Sequence, residues 1–276
     1  MTNDIQPIAI VGGLGKTGRR VAARLEQLGH AARPVSRSTY PAFDWDKPDG
    51  WAAALSGARA AYVTFQPDLA VPQAREAIAR LAQVARDQGL DHLVLLSGRG
   101  EEGAQRAEQA LAASGLCWTV VRASWFAQNF SESFLADAVR AGELALPVGA
   151  VAEPFVDADD IADVVVAALT GRAPAWRVYE VTGPEALTFA EAALIVGKAS
   201  GRPLTFRSVT PDAFGERLRA GGIPDEMIAM LIELFTTTLD GRNSAVAAGI
   251  DQALGRPPRP FSAYVKHAVA TEAWRS

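Results

Sequence analysis

Ile8-Ala9-Ile10-Val11-Gly12-Gly13-Leu14-Gly15-Lys16-Thr17-Gly18 is the stretch that decides the fold. Four apolar residues run into a glycine-rich turn, and a helical period starts at once, with Val21, Leu25 and Leu28 on one face and Gly29 closing it. Strand, glycine turn and helix in that order seat a dinucleotide pyrophosphate on the helix N-terminus. Glycine is wanted there because the turn is tight and two backbones must come close. Gly12, Gly13, Leu14, Gly15, Lys16, Thr17 and Gly18 are therefore the expected pyrophosphate contacts. Two spacings fit, the looser Gly12-x-x-Gly15-x-x-Gly18 and the fingerprint Gly13-x-Gly15-x-x-Gly18. A turn without a ligand is the competing reading. Gly15-Lys16-Thr17 also looks like the end of a P-loop, but that pattern needs a glycine where Ile10 stands inside the strand.

Outward from this stretch, strand-like and helix-like segments alternate. Strands are expected at 8–11, 31–35, 42–45, 60–65, 92–96 and 118–121, and helical segments at 17–28, 51–55, 72–88 and 101–113. Repeated βαβ units of this kind imply an α/β protein with a doubly wound parallel sheet. Past Arg122 the rhythm changes. Helices are expected at 126–141, at 159–169 with Asp159 as cap, at 189–199 with Thr188 as N-cap, and at 211–220, 225–239 and 261–274. Strands are expected at 178–181 and 204–209. The resulting division is a nucleotide-binding domain over 1–150 and a smaller, mostly helical C-terminal lobe over 151–276, interleaved with it.

The 276 residues are 49% hydrophobic and 21% charged, the balance of a globular enzyme that can bury a full core. A net charge of −4 argues against a nucleic-acid binder. The single cysteine, Cys117, makes no internal disulfide, and no leader pattern or membrane-length apolar run is seen, so a cytoplasmic protein, monomer or homodimer, is expected. His, Cys and acidic residues show no metal-ligand spacing, and His92 at a strand start is most simply structural.

The end of the second strand speaks to cofactor choice. An NAD site places an acid there for the ribose hydroxyls, whereas this chain reads Ser36-Arg37-Ser38, two hydroxyls and a guanidinium suited to a 2′-phosphate. NADP(H) is thus expected in preference to NAD(H), against the alternative of a solvated basic loop. Asp44 is a candidate for the adenine amino group. Phe65-Gln66-Pro67, at the end of the next long strand, and Ser97, at the end of the one after, lie where parallel sheets present their ligand crevice. Phe65, Gln66 and Pro67 are read as cofactor contacts and Ser97 as the catalytic candidate. Trp125, Phe126, Asn129 and Phe130 put a polar group beside aromatics, a way of orienting a flat substrate, although the spacing of Phe126, Phe130 and Phe134 equally describes core packing. The residues four positions after the tyrosines are Asp44, Gln66, Gly183 and Ala268, so no Tyr-x-x-x-Lys pair exists to donate a proton.

These pieces resemble the NmrA-like branch of the atypical short-chain dehydrogenase/reductases, and within it the ergot-alkaloid reductase type with its bacterial relatives. The likeness rests on the turn at 12–18, Ser36-Arg37-Ser38, Phe43-Asp44-Trp45, Val94-Leu95-Leu96-Ser97 and Trp125-Phe126-x-x-Asn129-Phe130. It continues through Pro154-Phe155-Val156, Asp159-Asp160-Ile161-Ala162 and Gly183-Pro184-Glu185-Ala186-Leu187-Thr188, and so spans nearly the whole chain. The resemblance implies a Rossmann domain, NADP(H), and reduction of an iminium, quinone or enone without a Tyr/Lys pair. The superfamily also contains regulators that sense NADP(H) without turning it over, which is the alternative function.

Overall fold

The computed structural model describes residues 6–275. In chain order, β1 (Ile8–Val11), α1 (Gly18–Gln27), β2 (Ala32–Val35), α2 (Trp51–Leu55), β3 (Ala60–Val63), α3 (Ala74–Asp87), β4 (His92–Gly98), α4 (Glu102–Ala112) and β5 (Cys117–Ala123) come first. Next are α5 (Asn129–Glu132), α6 (Leu135–Ala141), β6 (Glu143–Leu146), β7 (Ala152–Glu153), α7 (Ala158–Leu169) and β8 (Arg177–Val181). Then follow β9 (Leu187–Thr188), α8 (Phe189–Ser200), β10 (Thr205–Ser208), α9 (Pro211–Ala220), α10 (Asp225–Glu233), α11 (Gly249–Leu254) and α12 (Phe261–Ala270). By their contacts these elements form two compact units, each drawn from several chain segments. The first holds the chain up to Ala123 with Ala158–Val181 and Ala248–Pro257. The second holds Ser124–Asp157, Thr182–Ala247 and the chain from Pro258.

The first unit is a six-stranded parallel sheet in the order β2-β1-β3-β4-β5-β8. Alternate residues feed two cores, the consequence of a period-two strand buried on both faces. Ala9, Val11, Ala61, Val63, Leu93 and Leu95 meet Ile78 and Leu81 of α3 and Leu111 of α4. On the other side α1 and α7 cover the sheet. They are clamped together by Arg24, whose Nη2 lies 2.7 Å from Asp159 and Nε 2.6 Å from Asp163. Asp159 therefore works inside the first turn of α7 as an ion-pair partner, and not as the cap expected from sequence.

The segment 42–45, expected as a strand, is a loop. Its residues make an aromatic plug instead: Phe43 stacks on Trp51 at 5.6 Å, and Trp45 lies 4.5 Å from Phe65. Trp45 donates its indole N–H to the Thr64 carbonyl (3.2 Å) and Trp51 its own to the Asp44 carbonyl (2.7 Å). Tertiary burial of large rings outweighs strand propensity here.

In the second unit Phe130, Phe155, Phe189 and Phe261 form a fully buried aromatic centre, with successive rings 5.1–5.4 Å apart. α8 starts on a capping box: the Thr188 hydroxyl accepts from the Glu191 N–H (3.2 Å) while the Glu191 carboxylate accepts from the Thr188 N–H (2.8 Å). β6 pairs with β10 in parallel and β7 with β9 antiparallel. The single helix expected over 126–141 is broken at Ser133, which is extended (φ −146°). Its hydroxyl donates to the Asn129 carbonyl (2.7 Å) and accepts from the Leu135 N–H (3.3 Å), closing α5 and opening α6. The helix expected to reach residue 239 ends at Glu233 and loosens into a π-type turn over Leu234–Thr238.

One polar cluster ties the C-terminal ends of three strands in the first unit. Ser97 of β4, Arg122 of β5 and Glu180 of β8 are register partners. Arg122 Nε donates to Glu108 Oε1 of α4 (2.9 Å), its Nη2 binds the other Glu108 oxygen, and Nη1 donates to Glu180 Oε1 (2.7 Å). The hydrogen bond to Glu108, ahead of its charge, holds the Arg122 guanidinium ionised despite burial. Removing one partner of such a set strands the others. Arg122→Ala is expected to cost about 3–5 kcal/mol of stability, read as a lowered urea midpoint; a loss below about 1 kcal/mol would mean the network contributes no more than an exposed pair.

Candidate functional site

The turn after β1 sits where the strand order reverses, between β1 and β3, the position at which open parallel sheets bind ligands. Its glycines answer different demands. Gly12 has φ +78°, and a Cβ there would stand 2.1 Å from the Thr64 hydroxyl oxygen. A Cβ on Gly13 would meet Pro34 of β2 at 2.5 Å, and one on Gly18 would meet the Gly12 carbonyl oxygen at 2.3 Å. The first turn of α1 is thereby drawn onto the strand end. Leu14 and Gly15 form its exposed outer side, and Lys16 is half-buried.

The Thr17 hydroxyl does not cap α1, because it accepts the buried Tyr62 phenol proton at 2.9 Å. Burial pushes the Tyr62 phenol well above its ordinary range, with the Thr17 bond acting weakly the other way. No acidic side chain lies in the first turn of α1. A helix start with its positive end, no side-chain cap and no acid, fronted by glycines, fits a pyrophosphate.

Ser36, Arg37 and Ser38 stand together after β2. Ser36 Oγ lies 3.1 Å from Ser38 Oγ and accepts from the Ser38 N–H (3.2 Å), while Thr39 Oγ1 accepts from the Ser36 N–H (2.8 Å). Arg37 is exposed on this ordered loop. Arg33 serves elsewhere, donating to the Ser56 carbonyl at 2.8 Å. Asp44 accepts from the Asp46 N–H (3.1 Å) and lies 3.6 Å from Lys47, so its carboxylate also braces its own turn. Phe65 is half-buried against Trp45, and Gln66 and Pro67, joined by a cis peptide, are exposed at the end of β3. His92 lies 3.0 Å from Thr119 Oγ1, and burial, then the Arg59 charge, lowers its pKa to about 4.

Ser97 is buried, and its hydroxyl donates to Glu108 Oε1 at 2.5 Å, inside the Arg122 network. That is the geometry of a brace for α4. Among the residues of the second unit, Phe130 is fully buried in the aromatic centre, which is packing and not a surface for a ligand. Trp125 is half-buried, with its ring 5.0 Å from Phe235 and 5.6 Å from Phe189. Phe126 and Asn129 are likewise half-buried. Phe126 pairs with Val156 in an isolated bridge, and the Asn129 N–H donates to the Phe126 carbonyl (3.0 Å).

Reading the sequence overlooked Glu101. It follows β4 by three residues, and its carboxyl lies against Gly98: a Cβ on Gly98 would be 1.9 Å from Glu101 Oε2. A Cβ on Gly103 would likewise stand 1.9 Å from the Ala70 carbonyl oxygen, so the start of α4 docks closely on the loop that carries Asp68. Burial, and then the charge of Asp68, push the Glu101 carboxyl up to about 8. The available signal was an acid directly after Ser97-Gly98-Arg99-Gly100 at a strand's C-terminal end. Among the described residues no helix is long and apolar enough to cross a membrane, and no group of His, Cys, Asp and Glu could hold a metal ion.

Similarity to known proteins agrees with this geometry. A festuclavine synthase II of Penicillium roqueforti is 28% identical, over 94% of this chain and 97% of that one. An NAD(P)H azoreductase of Xenophilus azovorans is 29% identical, over 95% of this chain and 98% of its own. Among solved structures, an NADPH-dependent quinone oxidoreductase of Escherichia coli in complex with NADPH shares the fold, with a TM-score of 0.80 at 20% identity, covering 94% of this chain and 99% of that one. The NmrA-like family profile matches residues 105–262, more than half of the sequence. With its strand–glycine turn–helix unit, its parallel sheet and this match, the chain belongs to the NmrA-like family.

Proposed function

We propose that this chain is a reductase that uses NADPH, in preference to NADH, to reduce a small organic molecule bearing an electrophilic carbon, such as an iminium ion, a quinone or an enone. The observation that carries the reading is the glycine turn at the β1/β3 switch point, packed so that the uncapped start of α1 faces outward. Residues 12–18 hold the pyrophosphate through backbone N–H groups and the helix N-terminus. Ser36, Arg37 and Ser38 take the 2′-phosphate: the hydroxyls are already 3.1 Å apart, and the Arg37 guanidinium is exposed beside them. Asp44, Phe65, Gln66 and Pro67 flank the adenine and ribose side. Bound NADPH supplies a hydride.

For substrate contacts we assign Trp125, Phe126 and Asn129, the members of the Trp-Phe-x-x-Asn stretch that are not fully buried. Ser97 acts through Glu108 and Arg122, holding the end of β4 in register with β5. The names of the relatives, an NAD(P)H azoreductase and a festuclavine synthase among them, support reduction of nitrogen-containing organic compounds as the chemical neighbourhood.

Oxidation of NADPH is expected in the presence of at least one member of a panel of iminium ions, quinones and enones, followed as loss of dihydronicotinamide absorbance. Tight NADPH binding with no turnover on any of them would replace the reductase by a sensor. Arg37→Ala is expected to weaken NADPH by about 1.5–3 kcal/mol, roughly one to two decades in Kd, and to leave NADH within about twofold. Equal losses for the two cofactors, measured by fluorescence titration, would remove the 2′-phosphate assignment.

A further inference from the structure

We propose that Glu101 is the acid that protonates the substrate heteroatom during reduction, the role left open by the missing Tyr/Lys pair. The proposal rests on the reductase reading above and names the proton source within it. Three features place the group. It follows the C-terminal end of β4, on the side of the sheet where parallel strands present their ligands. Its carboxyl is folded back over Gly98, its Oε2 lying 1.9 Å from where a Cβ on that glycine would stand. The start of α4 is locked onto the Asp68 loop by the Gly103–Ala70 approach, so the carboxyl is held in place by backbone packing.

A carboxyl so placed has two properties an acid catalyst needs. Among the described residues no hydrogen bond favours its ionised form, and the charge that acts on it is the Asp68 carboxylate from the β3–α3 loop, itself occupied with the Ala70 N–H at 2.7 Å. Desolvation and a like charge both favour the protonated acid, so that Glu101 keeps its proton up to about pH 8. On its own element, Glu102 turns to Arg106 at 4.0 Å, and Arg99 turns to Glu180 at 3.3 Å. With an enone, the hydride from NADPH forms the new C–H bond at the β-carbon and the π pair shifts to the carbonyl oxygen. The Glu101 O–H bond breaks as its proton passes to that oxygen. The resulting enol tautomerises in water, the carboxylate regains a proton from solvent, and NADPH is the species oxidised. An iminium ion needs no such proton, because hydride addition simply neutralises its charge.

That contrast supplies the test. For wild type and Glu101→Gln, kcat is measured on the best enone or quinone of the panel and on the best iminium ion, from pH 5 to 10. The ratio of the enone rate to the iminium rate is expected to fall about 100-fold in Glu101→Gln at pH 7. In wild type the enone rate is expected to fall as pH rises through about 8, and that limb is absent from the variant. Asp68→Asn, which keeps the acceptor for the Ala70 N–H, is expected to move the limb to lower pH.

A thermal readout is independent of turnover. The folded-state pKa is raised above the unfolded one, so Glu101 contributes a stability term present at low pH and lost as pH rises from about 4.5 to about 8. The Tm of Glu101→Gln should therefore gain on wild type across that interval. An unchanged rate ratio, or a pH limb that survives in Glu101→Gln, overturns the role of Glu101 and leaves the reductase standing. Turnover of iminium ions alone overturns it too. No turnover by wild type on any substrate removes the reductase reading itself.

Discussion

The approach of α1 to the end of β1 is the constraint on which the first unit depends. Gly18 meets the Gly12 carbonyl, Gly13 meets Pro34 and Gly12 meets Thr64 at distances no side chain would allow. Because these contacts are backbone against backbone or against a neighbouring strand, they set the helix start relative to β1, β2 and β3 together. The same closeness brings the Tyr62 phenol to the Thr17 hydroxyl and takes that hydroxyl away from capping duty. A feature that packs the fold thus also leaves the positive end of a helix aimed outward at the sheet's switch point.

At the other end of the crevice the organising force is electrostatic. Arg122 lies between Glu108 and Glu180, Ser97 donates a hydrogen bond to Glu108 and Arg99 also reaches Glu180, so a charged network ties three strands and a helix. The residue whose position in the chain suggested catalysis is the one whose hydrogen bond is already committed. Three residues after the strand, Glu101 meets a different environment, where burial and then the nearby Asp68 carboxylate push its carboxyl up. Burial and a neighbouring carboxylate thus push one acid up, while the other sits in the ion-pair network that braces the strands.

The second unit depends on aromatic packing. Phe130, Phe155, Phe189 and Phe261 interlock with rings about as close as edge-to-face pairs come. The sequence pattern that contained Phe130 was compatible with packing and with ligand contact alike, since a spacing of four describes a helix face and not what covers it. The burial of Phe130 resolves that choice for one residue, and the half-exposure of Trp125 keeps the other reading for its neighbour.

By itself the sequence determined the parallel α/β sheet, the place of the glycine turn and the absence of an acid after β2, because these are local matters of period, turn chemistry and residue type. It also located the Thr188 cap, a signal written in four consecutive residues. It misjudged 42–45, where distant rings outweigh local propensity, and 126–141, where the hydroxyl of Ser133 interrupts a helical period. The two-residue strands β7 and β9 are too brief to carry a pattern and exist only through their pairing. Only the tertiary structure decided the states of Ser97 and Glu101. Whether a hydroxyl is engaged or a carboxyl is pushed up depends on packing, the approach of Glu108 in one case and burial followed by the Asp68 charge in the other, and no sequence spacing records it.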